Sequence, residues 1–152
     1  MKKNILLISP DYFKEVYGKS IQKGVLSRSM PLLGLACIAA PLLKAGHNIV
    51  ILDLNLHDNP KEILTAKLKE LKPDIIGLTA TTPVAYKVMD IAKIARNILP
   101  NVTIVVGGPH PTALPEDLLK NSCIDIVVVG EGDRIFQSIV ESPDLKNIPN
   151  IY

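Results

Sequence analysis

The sequence has little of what marks a secreted, membrane-spanning or nucleic-acid-binding chain. Its 152 residues hold two cysteines, Cys37 and Cys123, which are too few for a disulfide framework and lack the CxxC spacing of a zinc site. The net charge is only +2, without a dense block of lysine or arginine, so we expect no nucleic-acid partner. Every apolar run is shorter than the roughly 18 residues of a membrane span. We therefore predict a cytoplasmic protein with reduced thiols and one hydrophobic core.

Several familiar motifs are also missing. The first apolar run is followed by Ser9-Pro10-Asp11-Tyr12, which lacks the GxGxxG glycines of a dinucleotide fold, although Asp53 mimics the ribose-binding acid. There is no Walker loop and no GxSxG, and Thr79 stands where a phosphoacceptor receiver domain has aspartate. The remaining residues offer no set of nucleophile, base and acid. We predict no catalytic residue and no metal ligand in this chain.

What is present is a regular alternation of strand and helix patterns. Five β-branched runs, each apolar enough to be covered on both faces, predict strands at residues 4–9, 48–53, 74–79, 102–106 and 124–129. Helical patterns fall at residues 31–45, 60–71, 84–99, 114–120 and 133–140. The alternation predicts a doubly wound α/β fold, with a flavodoxin-like five-stranded parallel sheet of order 2-1-3-4-5 and helices on both faces.

Two stretches depart from this periodicity. Residues 10–30 follow the first strand and carry Tyr12, Phe13 and Tyr17 as candidate loop anchors. A loop this long inside a domain is usually functional or disordered. Residues 142–152 also lose periodicity. We predict one domain over residues 1–141, and a tail over residues 142–152 that leads toward a further domain.

The loops at the carboxyl ends of the strands are the expected ligand site, because ligands bind there in open parallel sheets. Their glycines allow close approach to the main chain, and their threonines offer uncharged hydrogen bonds. Among the histidines, His110 is expected to touch a ligand, since His47 lies at the opposite edge and His57 in a polar capping loop. These features predict a large, mostly neutral ligand. The candidate residues are Thr79, Thr81, Thr82, Gly107, Gly108, Pro109, His110, Gly130, Glu131 and Gly132.

The order and spacing of five motifs carry a family resemblance. They are Pro31-Leu32-Leu33-Gly34-Leu35-Ala36, Ala45-Gly46-His47, Thr79-Ala80-Thr81-Thr82-Pro83, Gly107-Gly108-Pro109-His110-Pro111-Thr112 and Gly130-Glu131-Gly132. Together they resemble the amino-terminal cobalamin-binding domain of cobalamin-dependent radical S-adenosylmethionine enzymes. That group includes methyltransferases and anaerobic magnesium-protoporphyrin monomethyl ester cyclases, and the resemblance covers essentially the whole chain.

The resemblance implies a corrin lying over the carboxyl ends of the strands, with its nucleotide tail threaded into the domain. Thr79 and Thr81 would bond the tail or the corrin amides, and Gly107-Gly108 would let the tail pass. Gly130-Glu131-Gly132 would border the same groove, and residues 10–30 would help screen the cobalt. A bulky residue at position 108 is expected to abolish cobalamin uptake and to leave the fold largely intact.

Two departures shape what the resemblance implies. Asp11-Tyr12-Phe13-Lys14 lacks the histidine of the DxHxxG motif found in methionine synthase-type domains, which implies base-off cobalamin without a protein histidine ligand. The family's catalytic barrel holds its iron-sulfur cluster on CxxxCxxC, which two widely separated cysteines cannot supply. The cluster and S-adenosylmethionine are thus expected in a barrel domain outside this chain, which should not catalyse alone. Two alternatives stay open: a nucleotide- or flavin-binding half of another α/β enzyme, or an interaction domain without a cofactor.

Overall fold

A computed structural model describes residues 1–12 and 31–152. The predictions for residues 13–30, including Phe13, Tyr17 and the screening of a cobalt, lie outside the described residues. In the described part, no helix combines the length and the apolar character that crossing a bilayer requires.

The centre of the fold is a five-stranded parallel sheet. Its strands are β1 (Asn4–Ser9), β2 (Asn48–Asp53), β3 (Ile75–Thr79), β4 (Thr103–Gly107) and β5 (Ile126–Val127). All neighbours pair in parallel, in the order β2-β1-β3-β4-β5, so the predicted topology is confirmed. The order reverses between β1 and β3, and such a switch point opens a crevice at the carboxyl edge.

The last strand is shorter than its apolar run predicts. The run 124–129 predicts six residues, whereas β5 has two. At its amino end, the Ile104 N–H donates to the Asp125 carboxylate at 2.7 Å, which interrupts the regular backbone ladder. At its carboxyl end, Val128 forms an antiparallel bridge with Ile151 near the end of the chain.

In the residues that the structure describes, six α-helices surround the sheet. They are α1 (Leu33–Lys44), α2 (Pro60–Leu71), α3 (Ala85–Ile98), α4 (Pro109–Ala113), α5 (Pro115–Leu119) and α6 (Gly132–Glu141). Five match the predicted helices to within about two residues at each end. The sixth, α4, was expected to be a loop because of its two prolines. Pro109 stands at the first helical position, where its missing N–H costs nothing, so one turn can form.

The sheet separates two hydrophobic cores, because successive side chains of a strand point to opposite faces. Leu6 and Ile8 of β1 pack with α2, α3 and α5, whereas Ile5 and Leu7 pack with α1 and α6. We call the second side the α1/α6 face. Helices therefore lie on both faces, as predicted.

One expectation about coverage is wrong. The apolar sequence of β2 predicted a strand buried on both faces, yet Val50 and Ile51 remain 36% and 40% exposed. Among the described strands, β2 lies at the edge of the sheet and pairs with β1. The exposure is specific to β2, since β5 at the opposite edge is buried.

The end of the chain returns to the sheet. The Tyr152 N–H donates to the Val127 carbonyl at 3.0 Å, and the Val129 N–H donates to the Asn150 carbonyl at 2.9 Å. Ile148 and Ile151 pack against the core on the α1/α6 face. The last residues of the predicted tail therefore cover part of β5, while the division at residue 141 stays a prediction.

Candidate functional site

A groove of about 710 Å³ opens at the carboxyl edge of the sheet, on its α1/α6 face. Leu7, Gly77 and Val105 form its floor, and they are direct neighbours across β1, β3 and β4. Ile38 of α1 and Phe136 of α6 form walls. A concave, mainly apolar site with few polar groups is the usual form of a cofactor pocket.

The depth of the groove depends on Gly77. A Cβ at this position would lie 2.7 Å from Leu7 Cδ2 and 2.9 Å from Phe136 Cε2, closer than carbon atoms can approach. Glycine inside a strand often marks a place where another group approaches the sheet closely. Here it lets the Phe136 ring and the Leu7 side chain settle over β3, which lowers the floor between the two helices.

The two glycines at the rim have different roles. Gly108 has φ +114°, and a Cβ there would lie 2.8 Å from the Ala80 carbonyl oxygen and 3.1 Å from Thr79 Oγ1. A Cβ on Gly107 would meet only Val128 Cβ, at an ordinary 3.7 Å. The expectation that a bulky residue at position 108 leaves the fold intact is therefore wrong, because Gly108 is needed for the turn to pack on the loop after β3.

The loops after β3 and β4 are joined by backbone hydrogen bonds. The Ala80 N–H donates to the Gly107 carbonyl at 2.8 Å, and the His110 N–H donates to the Ala80 carbonyl at 3.0 Å. His110 is only 5% exposed, and its Nδ1 lies 3.3 Å from Thr82 Oγ1. Its side chain thus fills the space between these two loops.

The structure brings most of the predicted site residues together. Seven of the ten candidates line the groove: Thr79, Gly107, Gly108, Pro109, Gly130, Glu131 and Gly132. Thr81 and Thr79 line a second cavity of about 290 Å³ at the β1/β3 switch point, together with Ser9, Pro10 and Tyr12. Thr82 and His110 contact each other and line neither of these two cavities.

Sequence reasoning missed the apolar part of the groove and one polar link. Leu7, Ile38 and Phe136 fall inside the predicted strand 4–9 and the predicted helices 31–45 and 133–140, and none of them was singled out. Gly77 carried a signal, because it interrupts an otherwise apolar strand. Thr112 lies in the quoted motif but was not singled out, although it lines the groove and bonds two of its loops.

Charged groups lie beside the second cavity. Lys87 Nζ donates to the Asp11 carbonyl at 2.7 Å and lies 3.4 Å from Asp11 Oδ2. Burial raises the pKa of the Asp53 carboxyl above its ordinary value, and the negative charge of Asp11 adds to this. The Asn55 N–H, which donates to Asp53 Oδ1 at 3.0 Å, and His57 act in the opposite direction.

The groups at the carboxyl edge of the sheet are suited to binding a ligand. Within residues 1–12 and 31–152, no group of three or more histidine, cysteine, aspartate or glutamate side chains is arranged to hold a metal ion. The groove instead offers an apolar interior, bare backbone at Gly107 and uncharged hydroxyls at Thr79 and Thr112. These are the features that suit a large organic ligand with an aromatic part.

This chain is similar in sequence, and in fold, to known proteins. The chain is 39% identical over 125 residues to an uncharacterized methyltransferase of Pyrococcus horikoshii, covering 82% of this chain and 27% of the relative. It is 30% identical over 145 residues to the anaerobic magnesium-protoporphyrin IX monomethyl ester cyclase of Rubrivivax gelatinosus, covering 92% of this chain and 24% of the relative. The chain therefore spans about a quarter of the length of these curated relatives.

A solved structure shares the fold at low sequence identity. It is that of the cobalamin-dependent S-adenosylmethionine radical enzyme OxsB with aqua-cobalamin and S-adenosylmethionine bound. The match has a TM-score of 0.78 and 16% identity, and it covers 99% of this chain and 20% of that one. The model of the B12 binding domain family matches residues 23–140 of this chain. The chain belongs to the B12-binding domain family, as its loop motifs predict.

Proposed function

We propose that this domain binds cobalamin, with the corrin over the carboxyl edge of the sheet and the nucleotide tail in the groove. The observation that carries the proposal is the groove itself, which extends from Gly107 at the rim to Gly77 on the floor and measures about 710 Å³. Gly77 has no side chain, which lets Leu7 and Phe136 pack directly over β3 at the bottom of this groove. The family membership and the cobalamin named for OxsB support the same ligand.

The residues present fit both the aromatic base of such a tail and the end that leads to the corrin. Phe136 and Leu7 offer apolar contact to an aromatic base on the floor, and Gly107 leaves the backbone open at the rim. Thr79 borders both the groove and the second cavity, so its hydroxyl can bond a ligand that extends from one to the other. Thr81 borders the second cavity and would serve the corrin side.

We also propose that the cobalamin is bound base-off and without a histidine ligand from this chain. His47 Nδ1 accepts the Lys3 N–H at 3.1 Å, at the amino edge of the sheet. His110 is buried against Thr82. His57 follows β2 at the outer edge of the sheet, beside Asp53. A tail held in the groove by its lining residues would keep its own base away from the cobalt.

The wider role that we propose is that of a cofactor module in a radical S-adenosylmethionine methyltransferase or cyclase. This chain corresponds to about a quarter of such relatives, and its two cysteines supply no CxxxCxxC motif. Cobalamin, when bound, supplies cobalt chemistry that amino-acid side chains lack. The part played by this chain is to hold the cofactor and to orient it toward a barrel that carries the iron-sulfur cluster and S-adenosylmethionine.

The test uses the two cysteines as reporters. Cys37 is exposed and lines the groove, whereas Cys123 is half-buried near the start of β5, and its N–H donates to the Asn121 side chain. The protein is mixed with hydroxocobalamin and desalted, and its visible spectrum is recorded. Alkylation of each cysteine by N-ethylmaleimide is then followed by mass spectrometry.

We expect the corrin absorbance to stay with the protein and the Cys37 alkylation rate to fall in proportion to the occupied fraction. The Cys123 rate should stay the same, which makes it the internal control. Loss of all corrin absorbance on desalting at micromolar protein would overturn the proposal. Protection of Cys37 by flavin mononucleotide but not by hydroxocobalamin would favour the flavin-binding alternative.

A further inference from the structure

The Thr112 hydroxyl joins two loops at the mouth of the groove. Its Oγ1 donates to the Gly108 carbonyl at 2.8 Å and accepts the Gly130 N–H at 3.0 Å. Both glycines have positive φ, +114° at Gly108 and +83° at Gly130. Each is therefore a point where the chain turns sharply at the end of a strand.

The two junctions between neighbouring loops are built differently. The loop after β3 is held to the loop after β4 by two backbone hydrogen bonds through Ala80, and the Gly108 Cα packs tightly against it. In the loop after β5 the corresponding glycine is open, since a Cβ on Gly130 would meet no described atom within 4 Å. The Val128 N–H still donates to the Val106 carbonyl at 2.8 Å. Beyond that bond, one hydrogen bond joins residues 107–113 to residues 129–133 in the described part of the chain, from the Gly130 N–H to the Thr112 hydroxyl.

We propose that Thr112 is a positioning residue that fixes the width of the groove mouth before the ligand arrives. It acts through the backbone of Gly130, because it holds residues 130–132 at a set distance from the Gly107-Gly108 turn. The ligand part of this inference rests on the proposed binding of cobalamin. A mouth ordered in advance lowers the conformational cost of binding, so loss of the bond should speed release of the ligand.

Two variants at one position isolate the hydroxyl. Thr112→Val keeps the shape and removes the hydrogen bonds, whereas Thr112→Ser keeps the hydroxyl. Thr65→Val is the matched control, since Thr65 Oγ1 also donates to a carbonyl four residues earlier, that of Lys61 at 2.9 Å, on α2 away from the groove. Circular dichroism checks the fold of each variant, and Thr112→Ala replaces the valine variant if that one unfolds.

The measurements are made with and without cofactor. In the cofactor-free protein, NMR should show about fivefold faster hydrogen exchange of the Gly130 amide in Thr112→Val, the factor that one ordinary hydrogen bond contributes. With hydroxocobalamin bound, its dissociation rate should rise by about the same factor. Thr112→Ser and Thr65→Val should match the wild type in both measurements.

The outcomes separate this proposal from the one on which it rests. Unchanged Gly130 exchange in Thr112→Val would show that the hydroxyl does not hold the loop. Faster exchange with an unchanged dissociation rate would show that the loop is held but that the ligand is not positioned by it. Either result overturns the inference while leaving cobalamin binding in place. A wild-type protein that binds no hydroxocobalamin contradicts the proposed function itself, and the ligand part of the inference falls with it.

Discussion

At the scale of single residues, adjacent glycines of one motif meet different requirements. Gly108 is needed because its backbone has φ +114° and its Cα faces the Ala80 carbonyl. Gly107 has neither a positive φ nor a close backbone contact at its Cβ position, and it lines the groove. The first glycine of the pair is thus tied to the ligand site and the second to folding.

This difference gives a prediction about alanine. Gly108→Ala should lower the free energy of unfolding by about 1–3 kcal/mol, because a Cβ at positive φ and in contact with a backbone oxygen forces the turn to move. Gly107→Ala should change it by less than about 0.5 kcal/mol. Urea denaturation of both variants measures the difference. Equal stability of the two would contradict the separation of roles.

At the scale of elements, α1 presents one face to the core and another to the groove. Leu35, Ala39 and Leu42 are buried, while Gly34 and Cys37 line the groove. Gly34 sits in the first turn, and a Cβ there would meet nothing within 4 Å. A side chain at this position therefore has room to extend over the groove without disturbing the helix.

We accordingly expect Gly34→Phe to weaken binding of hydroxocobalamin at least about tenfold, a loss of about 1.4 kcal/mol, by filling space that the ligand needs. The fold should not suffer, since replacing a helical glycine removes a helix penalty of about 0.5–1 kcal/mol. Equilibrium dialysis gives the affinity, and thermal unfolding gives the stability. Ala40→Phe is the control, because Ala40 is exposed on the same helix and does not line the groove. Equal affinities of the two variants would place the ligand elsewhere.

The elements themselves could be predicted well because their signals are local. The strands β1 and β2 begin and end where their β-branched runs do, and α2 has the bounds that its apolar spacing predicts. The short helix α4 was missed, since a pair of glycines followed by two prolines is typical of a loop. Its single turn forms because Gly108 can turn the chain with positive φ just before Pro109.

The site could be predicted only in part, for a related reason. The rim residues follow strand ends, and parallel strands bring their carboxyl ends to one edge, so their proximity can be read from the chain. The floor depends on Leu7, Gly77 and Phe136, which come from three distant parts of the sequence. The two bonds of Thr112 depend on how far the loops after β4 and β5 diverge, which no local pattern encodes.

At the scale of the whole molecule, the site draws on the three central strands β1, β3 and β4 and on the segment after β5. Groove residues come from strands β1, β3 and β4 and from the residues that follow β4 and β5. Helices α1 and α6 supply the others. The same helices cover the core on the α1/α6 face. A ligand in the groove therefore contacts most of the elements that must separate when the domain unfolds.

Binding should consequently stabilise the entire fold. At a free concentration one hundred times its Kd, hydroxocobalamin should add about 2.7 kcal/mol to the free energy of unfolding. For a domain of this size, that corresponds to a rise in Tm of roughly 5–10 °C. Differential scanning calorimetry with and without the ligand measures the shift, and flavin mononucleotide at the same concentration should leave Tm unchanged. A bound corrin with no change in Tm would contradict a site that spans these elements.

The glycine at the bottom of the groove also offers a way to classify relatives. One methyl group at position 77 would overlap both Leu7 and Phe136, so the depth of the groove depends on the absence of a single carbon atom. In a homologue with alanine at this position, the Leu7 or Phe136 side chain has to shift or be replaced by a smaller one. The three positions should therefore vary together across the family, and their combined identity would indicate which members have room for a full nucleotide tail.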